Sequence, residues 1–316
     1  MWFRRGLALA LLLFGSWNAR AQAIKLTGYV QLDAREDTRE LDLRRVRLAF
    51  SGSPAKRISY FAMLETDHWH PLSTRFVDLS VDLKLSDALK VRAGQFKYDF
   101  DIEGREAAHL IPFIDRAFVT NAVSGSLDGR STPSSTRSAF RDRGVSVISD
   151  TKRWGWAVGV FQGAGRGEDD DHNFGTTANL RLKPRDGVVI NTGIIASDEN
   201  DFRAWTGGAS WDVNARLLVR GEVYAGSRRT SDVRGGYIST AFTILPSLDL
   251  LARVQHIDDE QFADGDASSV DIGAKWYLRR KDKRSGTSLA INYMHRDSRA
   301  AFAREAVLAV RMQVRF

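Results

Sequence analysis

Basic side chains recur at alternate positions within apolar runs: Arg45 and Arg47, Lys90 and Arg92, Arg181 and Lys183, Arg216 and Arg220, with single residues at Arg253, Lys275 and Arg311. Their chemistry is the binding of anions. A guanidinium is planar, stays charged at any working pH, and pairs its fork of N–H groups with an oxyanion. Several moderate sites in series pass an ion along without trapping it. The acids in the same phase are fewer, namely Glu65, Asp78, Asp82, Glu222 and Asp271.

Other chemistries find less support. The chain has no cysteine, so thiolate metal sites and disulfides are excluded. No Gly-x-Ser-x-Gly elbow occurs, and no enzyme is expected. Glu168-Asp-Asp-Asp171-His172 lacks calcium-loop spacing and reads as a solvated loop tip, and His68 and His70 beside Trp69 do not make a metal site. No metal or cofactor is expected. The basic run Arg279–Arg284 resembles a nucleic-acid patch only in composition, and no nucleic acid is expected as a partner.

A period of two places these cations on one face of strands, and the other face is apolar. Val46, Leu48 and Phe50 alternate with Arg45 and Arg47; Leu89, Val91 and Ala93 alternate with Lys90 and Arg92. The final segment sets Ala306, Leu308, Val310, Met312, Val314 and Phe316 on a single face and stops at an aromatic residue. A tilted strand of about 9–11 residues crosses a bilayer, and a cation at mid-depth on the lipid face costs about 2–4 kcal/mol, so the basic faces must point into a lumen. Hydropathy cannot show such an architecture. A mean hydropathy of -0.30 with 43% hydrophobic residues is what a wet-lumen barrel should have.

The N-terminus supplies an export signal. Arg4 and Arg5 precede the apolar Leu7 to Phe14, and Ala21-Gln22-Ala23 forms a cleavage site, which sets residues 1–23 as a signal peptide and 24–316 as the mature unit. No later stretch is long and apolar enough for a membrane helix. Removal of Arg4, Arg5 and Arg20 reduces the net charge from +7 to +4.

Sixteen segments can be cut from the mature chain, starting near Ile24, Leu41, Arg57, Arg75, Leu89, Arg143, Arg153, Thr176, Val188, Arg203, Ala215, Val233, Asp249, Ser268, Thr287 and Arg304. Tight turns such as Pro184-Arg-Asp-Gly187 follow the even segments, and generally longer polar connections follow the odd ones. That asymmetry predicts an all-β transmembrane antiparallel barrel of 16 strands, with 14–18 as the range, and both termini on the short-turn side. Trp154, Trp156, Trp211, Trp276 and Phe316 near the short turns, with Phe202 and Trp205 near a loop, fit interfacial girdles. The connection 99–142 exceeds the usual scale. Its apolar first half should pack, folded into the lumen, and its Ser-rich part, Ser124 to Ser138, should be mobile.

At Arg44-Arg45-Val-Arg47-Leu-Ala-Phe-Ser-Gly52, Val91-Arg92-Ala-Gly94-Gln95-Phe96-Lys97-Tyr-Asp-Phe100 and Phe113-Ile-Asp-Arg116-Ala-Phe118, the sequence resembles the phosphate-selective porin O and P family. The resemblance is clearest from Leu41 to Ser149. It implies a homotrimer of sixteen-stranded barrels in the outer membrane of a Gram-negative bacterium, in contact with lipid and lipopolysaccharide, through which small anionic, phosphate-like solutes diffuse. Face assignment and resemblance together nominate Arg45, Arg47, Lys90, Arg92, Lys97, Arg105, Arg116, Arg137, Arg141, Arg181, Arg220 and Arg253 as pore-lining, anion-binding residues. The third loop tempers the expectation: it has five arginines, no lysine and seven acids, so a general diffusion channel without phosphate specificity is the competing reading. A closed structural barrel is the third.

Overall fold

The computed structural model describes residues 24–66, 74–125, 127, 140–163, 173–198, 201–259, 266–282, 284–298 and 306–316. Sixteen strands form one closed antiparallel barrel in which each pairs with its chain neighbours and β1 pairs with β16. They are β1 (Lys25–Arg35), β2 (Glu40–Ala55), β3 (Ile58–Thr66), β4 (Thr74–Lys84), β5 (Leu89–Lys97), β6 (Arg141–Asp150), β7 (Trp154–Phe161) and β8 (Gly175–Leu182). The second half comprises β9 (Val188–Ser197), β10 (Phe202–Asp212), β11 (Leu217–Arg228), β12 (Ser231–Leu245), β13 (Leu248–Asp259), β14 (Asp266–Asp282), β15 (Ser285–Ser298) and β16 (Ala306–Arg315). Among the described residues one helix, α1 (Phe118–Ser124), lies in the connection between β5 and β6. No described helix is long and apolar enough to cross a membrane.

Alternation writes the two faces directly. Along β13, Asp249, Leu251, Arg253, Gln255 and Ile257 are buried while Leu250, Ala252, Val254 and His256 are exposed. Side chains exposed on the outer wall, such as Val254, Val270, Ile272 and Ile291, are large and apolar, the reverse of a water-soluble protein and the arrangement lipid requires. Closure leaves no unpaired edge, the only way a sheet satisfies its backbone in hydrocarbon. It is completed by the β1–β16 register from Tyr29 opposite Arg315 to Arg35 opposite Ala309, and by reciprocal backbone bonds between Gly28 and Phe316 at 3.2 and 3.1 Å. Gly28 is needed there, because a Cβ would lie 2.6 Å from the Phe316 ring.

Some expectations change. Phe202 faces the lumen and is fully buried, whereas Trp205, three residues on and therefore on the opposite face, is exposed and suits a girdle. Arg216 lies in the β10–β11 turn rather than in a strand, and Lys183 sits just past β8, paired with Asp150 at 2.5 Å. The β11–β12 connection is only Arg229 and Thr230, because pairing continues to Arg228 opposite Ser231. Residues 1–23, the His68/His70 pair, the Glu168–Asp171 run, Arg137 and most of Ser124 to Ser138 lie outside the described residues.

Candidate functional site

The long third connection, L3, begins at Tyr98 and lies against lumen-facing side chains. Polar strand residues hold its backbone. The carbonyl of Phe100 accepts from Asn179 Nδ2 at 2.7 Å and Asn191 Nδ2 at 3.1 Å. Glu222 accepts the N–H groups of Ile102 and Glu103 at 2.7 and 2.9 Å and the Tyr237 hydroxyl at 2.7 Å. Further along, Asn292 accepts from Ile114 N at 2.7 Å, Gln255 accepts from Phe118 N at 2.8 Å, and Lys275 donates to the Ile111 carbonyl at 3.2 Å. Glycine permits the close approach. A Cβ at Gly193 would lie 2.2 Å from the Phe100 oxygen.

The apolar half of L3 supplies a core that the strands alone could not. Phe100, Ala117, Val119, Val123 and Leu127 cluster with Phe96, Phe161, Ile195, Phe202 and Tyr224 of the inner wall. Each buried side chain of this size contributes roughly 1.5–3 kcal/mol. α1 is short and has no side-chain N-cap bond, so tertiary packing stabilises it more than propensity does.

The nominated cations divide into two groups. In the first, buried charges are matched by acids or by loop carbonyls. Arg47 Nε meets Glu65 at 2.5 Å, Arg141 Nη2 meets Asp78 at 2.8 Å, and Arg253 Nε meets Asp271 at 2.7 Å. Arg181 reaches Asp99 at 3.1 Å and Arg220 reaches Glu106 at 2.7 Å, both acids being on L3. Lys97 donates to the carbonyls of Gly104 and Glu106 at 2.6 and 2.7 Å, and Arg116 donates to those of Glu103 and Glu106 at 3.1 and 2.5 Å while its guanidinium covers the Phe140 ring at 4.5 Å. Arg105 meets Asp99 at 3.3 Å but keeps 31% of its side chain exposed, so it stands apart from this group. Unpairing one partner of such a buried pair costs about 3–5 kcal/mol, so these side chains fasten L3 and the wall.

The second group keeps contact with water. On β2 to β5, Arg45, Lys90 and Arg92 have 21%, 34% and 28% of their side chains exposed, and Arg75, which periodicity did not nominate, has 38%. By contrast, Arg253, Arg181 and Arg220, under L3, show 1%, 8% and 8%. Lys90 and Arg92 share Asp82 at 2.7 and 2.6 Å, and Arg45 donates to Gln31 at 3.2 Å with Glu65 at 3.9 Å. Arg44 and Arg47 lie close enough to Arg45 to act on its charge. Four accessible lumen cations therefore stand together on the wall that L3 leaves uncovered, while Arg105 of L3 and Arg35 beside it, 31% and 25% exposed, lie on the loop's side.

Loop groups are electrostatically set. Burial would raise the Asp115 carboxyl, but Arg35, bonded at 2.7 Å, and next Arg311 hold it well below the usual carboxylate range. Burial lowers His109 to about 4, with Arg315, Arg47 and Lys275 pushing the same way, so it is neutral at physiological pH. Its ring packs against Tyr29 at 4.8 Å.

Sequence reasoning missed the amides. Asn179, Asn191, Gln255, Asn292 and Gln313 occupy lumen phases and fasten L3, and the available signal was an amide on the charged face of an otherwise apolar strand. Arg35 and Arg75, at strand ends, were missed because alternation is weakest there. Among the described residues no cluster of His, Asp and Glu could hold a metal.

Residues 24–241 match the family model described as phosphate-selective porin O and P. The fold is similar to the anion-selective porin from Comamonas acidovorans, at TM-score 0.68 and 12% identity over 93% of this chain and 100% of that one. It is also similar to a trimer form of OmpT from Vibrio cholerae (TM-score 0.65, 10% identity, 94% and 100% covered) and to the outer membrane channel DcaP of Acinetobacter baumannii (0.63, 12%, 95% and 99%). No curated protein sequence matches at a significant level.

Proposed function

Starting from the fact that the chain belongs to the phosphate-selective porin O and P family, and is therefore an outer-membrane diffusion channel of a Gram-negative bacterium rather than an enzyme, we propose that it prefers anions. The preference is carried by Arg45, Arg75, Lys90 and Arg92 along the β2–β5 wall. The single observation behind this reading is the grouping of four water-accessible lumen cations on the side not covered by L3. Low-dielectric walls concentrate a positive potential on that side, and anions follow it. Of the twelve nominated residues, Arg47, Lys97, Arg116, Arg141, Arg181, Arg220 and Arg253 act mainly by positioning, each being buried against an acid or a loop carbonyl. Lys90 and Arg92 share the single carboxylate of Asp82 and so keep a net positive charge, and Arg105 shares Asp99 with Arg181 in the same way.

Phosphate or a related oxyanion is the solute the guanidinium geometry suits best. The family description and the anion-selective relative support this choice. A homotrimer in contact with lipid and lipopolysaccharide, exported by a signal at 1–23, completes the proposal; the trimer form of a structural relative supports the first element. The test is the zero-current potential of purified, refolded protein in a planar bilayer under a potassium chloride gradient, followed by phosphate titration at fixed chloride. Anion preference with saturable phosphate block is expected. Anion preference without block points instead to general diffusion.

A further inference from the structure

The turns after β6, β8 and β10 stand side by side on the short-turn rim, which in an outer-membrane barrel faces the periplasm. Backbone bonds join them: Lys183 N–H donates to the Arg153 carbonyl and Asp212 N–H to that of Gly187, each at 2.7 Å. The three turns and the strand ends beside them carry five rim cations, Lys152, Arg153, Lys183, Arg185 and Arg216, against three acids, Asp150, Asp186 and Asp212. Two of the acids are committed, Asp150 to Lys183 at 2.5 Å and Asp212 to Arg284 of the β14–β15 turn at 2.8 Å. Lys152, Arg153, Arg185 and Arg216 are exposed, make no ion pair within the described residues, and have only Asp186 near them as an uncommitted acid.

Beside these cations the outer wall is aromatic. Trp154 and Trp156 of β7 and Trp211 of β10 point outward, among the exposed Leu180, Leu182 and Ile190 of β8 and β9. Trp154 lies opposite Leu182 and Trp211 opposite Val188, so these rings mark the strand ends, the depth at which indoles sit among lipid headgroups. The Arg185 guanidinium is held over the Trp211 ring, 5.0 Å from its centroid. That stacking sets one cation on the lipid side of the rim. Elsewhere the rim lacks the combination. Ile244, Leu245, Pro246 and Ser247 at the β12–β13 turn carry no charge, and Lys84 at the β4–β5 turn is paired with Asp87 at 2.8 Å. Lys56, Arg57, Arg279 and Lys281 are exposed, but no described ring stacks on them, and the single outward tryptophan of β14, Trp276, holds no cation.

We propose that the β7–β10 arc of the periplasmic rim is a binding site for an anionic phospholipid of the inner leaflet. The phosphodiester of phosphatidylglycerol carries one negative charge and no ammonium to balance it, whereas phosphatidylethanolamine is zwitterionic. Arg153 and Arg185 offer charge-assisted N–H donors to the phosphate, and Lys152 and Arg216 add to the local positive potential. The acyl chains lie along the three indole rings and Leu182. A soluble anion would meet the cations but leave the aromatic wall unused, so the occupant that matches both is a lipid. This site is independent of which solute the lumen prefers.

The test is native mass spectrometry of the purified, refolded protein released from detergent micelles that hold equal amounts of phosphatidylglycerol and phosphatidylethanolamine. Each cation beside the headgroup favours the anionic lipid about fivefold, so two in contact should enrich it about 25-fold among the bound lipids. The variant Lys152→Gln, Arg153→Gln, Arg185→Gln, Arg216→Gln should lose most of that enrichment. The control set Lys56→Gln, Arg57→Gln, Arg279→Gln, Lys281→Gln removes the same number of charges from the rest of the rim and should keep it. Trp211→Leu, which leaves every cation in place and removes the ring under Arg185, should lower it in part. Heat-modifiable mobility shows that each variant is folded. Absence of preference in the wild type denies the site. Equal loss in both glutamine sets reduces it to the overall charge of the rim, and displacement of the lipid by inorganic phosphate at matched ionic strength makes it a free-anion site; each of these overturns the inference. The channel reading, which is tested by conductance, stands in every case.

Discussion

Glu222 is the strand residue on which the seating of L3 most depends, since it accepts two consecutive loop N–H groups, Ile102 and Glu103, as well as the Tyr237 hydroxyl. Glu222→Leu keeps the side chain's bulk and removes every acceptor. Each buried N–H left without an acceptor costs about 1–3 kcal/mol, so two amount to about 2–6 kcal/mol; lumen water recovering part of this leaves about 2–4 kcal/mol. At 1.4 kcal/mol per tenfold, local opening of the loop should rise about 30- to 700-fold. Hydrogen exchange of the refolded protein in detergent, followed by mass spectrometry of peptides spanning 98–117, reads that change. The barrel's own ladders should keep their protection, because Glu222 lies within β11 and its backbone pairing does not need the carboxylate. Exchange in 98–117 within about threefold of wild type would refute the view that Glu222 holds the loop.

Three further outcomes follow from the same geometry. Gly193→Val should displace L3 at Phe100, where even a Cβ meets the carbonyl at 2.2 Å, and so raise current noise and speed proteolysis of the loop; quiet, protected channels would show that the approach is not rigid. Ile272→Arg, on the outer face, should lower folding stability in lipid by about 2–4 kcal/mol, read from urea titration of refolding, and an unchanged midpoint would contradict the lipid assignment. For His109 the folded value of about 4 lies below the ordinary 6.5, so as pH falls the unfolded chain takes up the proton first. Its contribution is full above pH 6.5 and is lost as pH falls toward about 4, amounting to at most about 3 kcal/mol. His109→Phe, which keeps a ring on Tyr29, should flatten that part of the pH–stability profile measured by thermal unfolding.

The barrel was legible because a period of two is unambiguous when one face meets lipid: each of the sixteen expected strand starts lies within two residues of the observed one, as at Leu89, Val188 and Arg57 against Ile58. The inward turn of Arg45, Arg47, Lys90 and Arg92 was legible for the same reason. Their partners were not, since pairing across the lumen joins residues remote in sequence: Arg220 meets Glu106 and Arg181 meets Asp99 through a loop that has no periodicity. Counting basic against acidic lumen residues therefore overstated the free positive charge. Phe202 misled because an aromatic residue at a strand end looks the same in sequence whether it faces lipid or an inward-folded loop. The α1 helix left no pattern, being seven residues long and stabilised by packing.

The most direct test of the central claim compares the zero-current potential of the wild-type channel with that of Arg45→Glu, Arg75→Glu, Lys90→Glu under the same potassium chloride gradient, both shown to be folded by their heat-modifiable mobility. The β2–β5 wall account predicts an anion-selective potential for the wild type and a reversed or abolished preference in the triple variant. A folded variant that keeps the wild-type potential would contradict it.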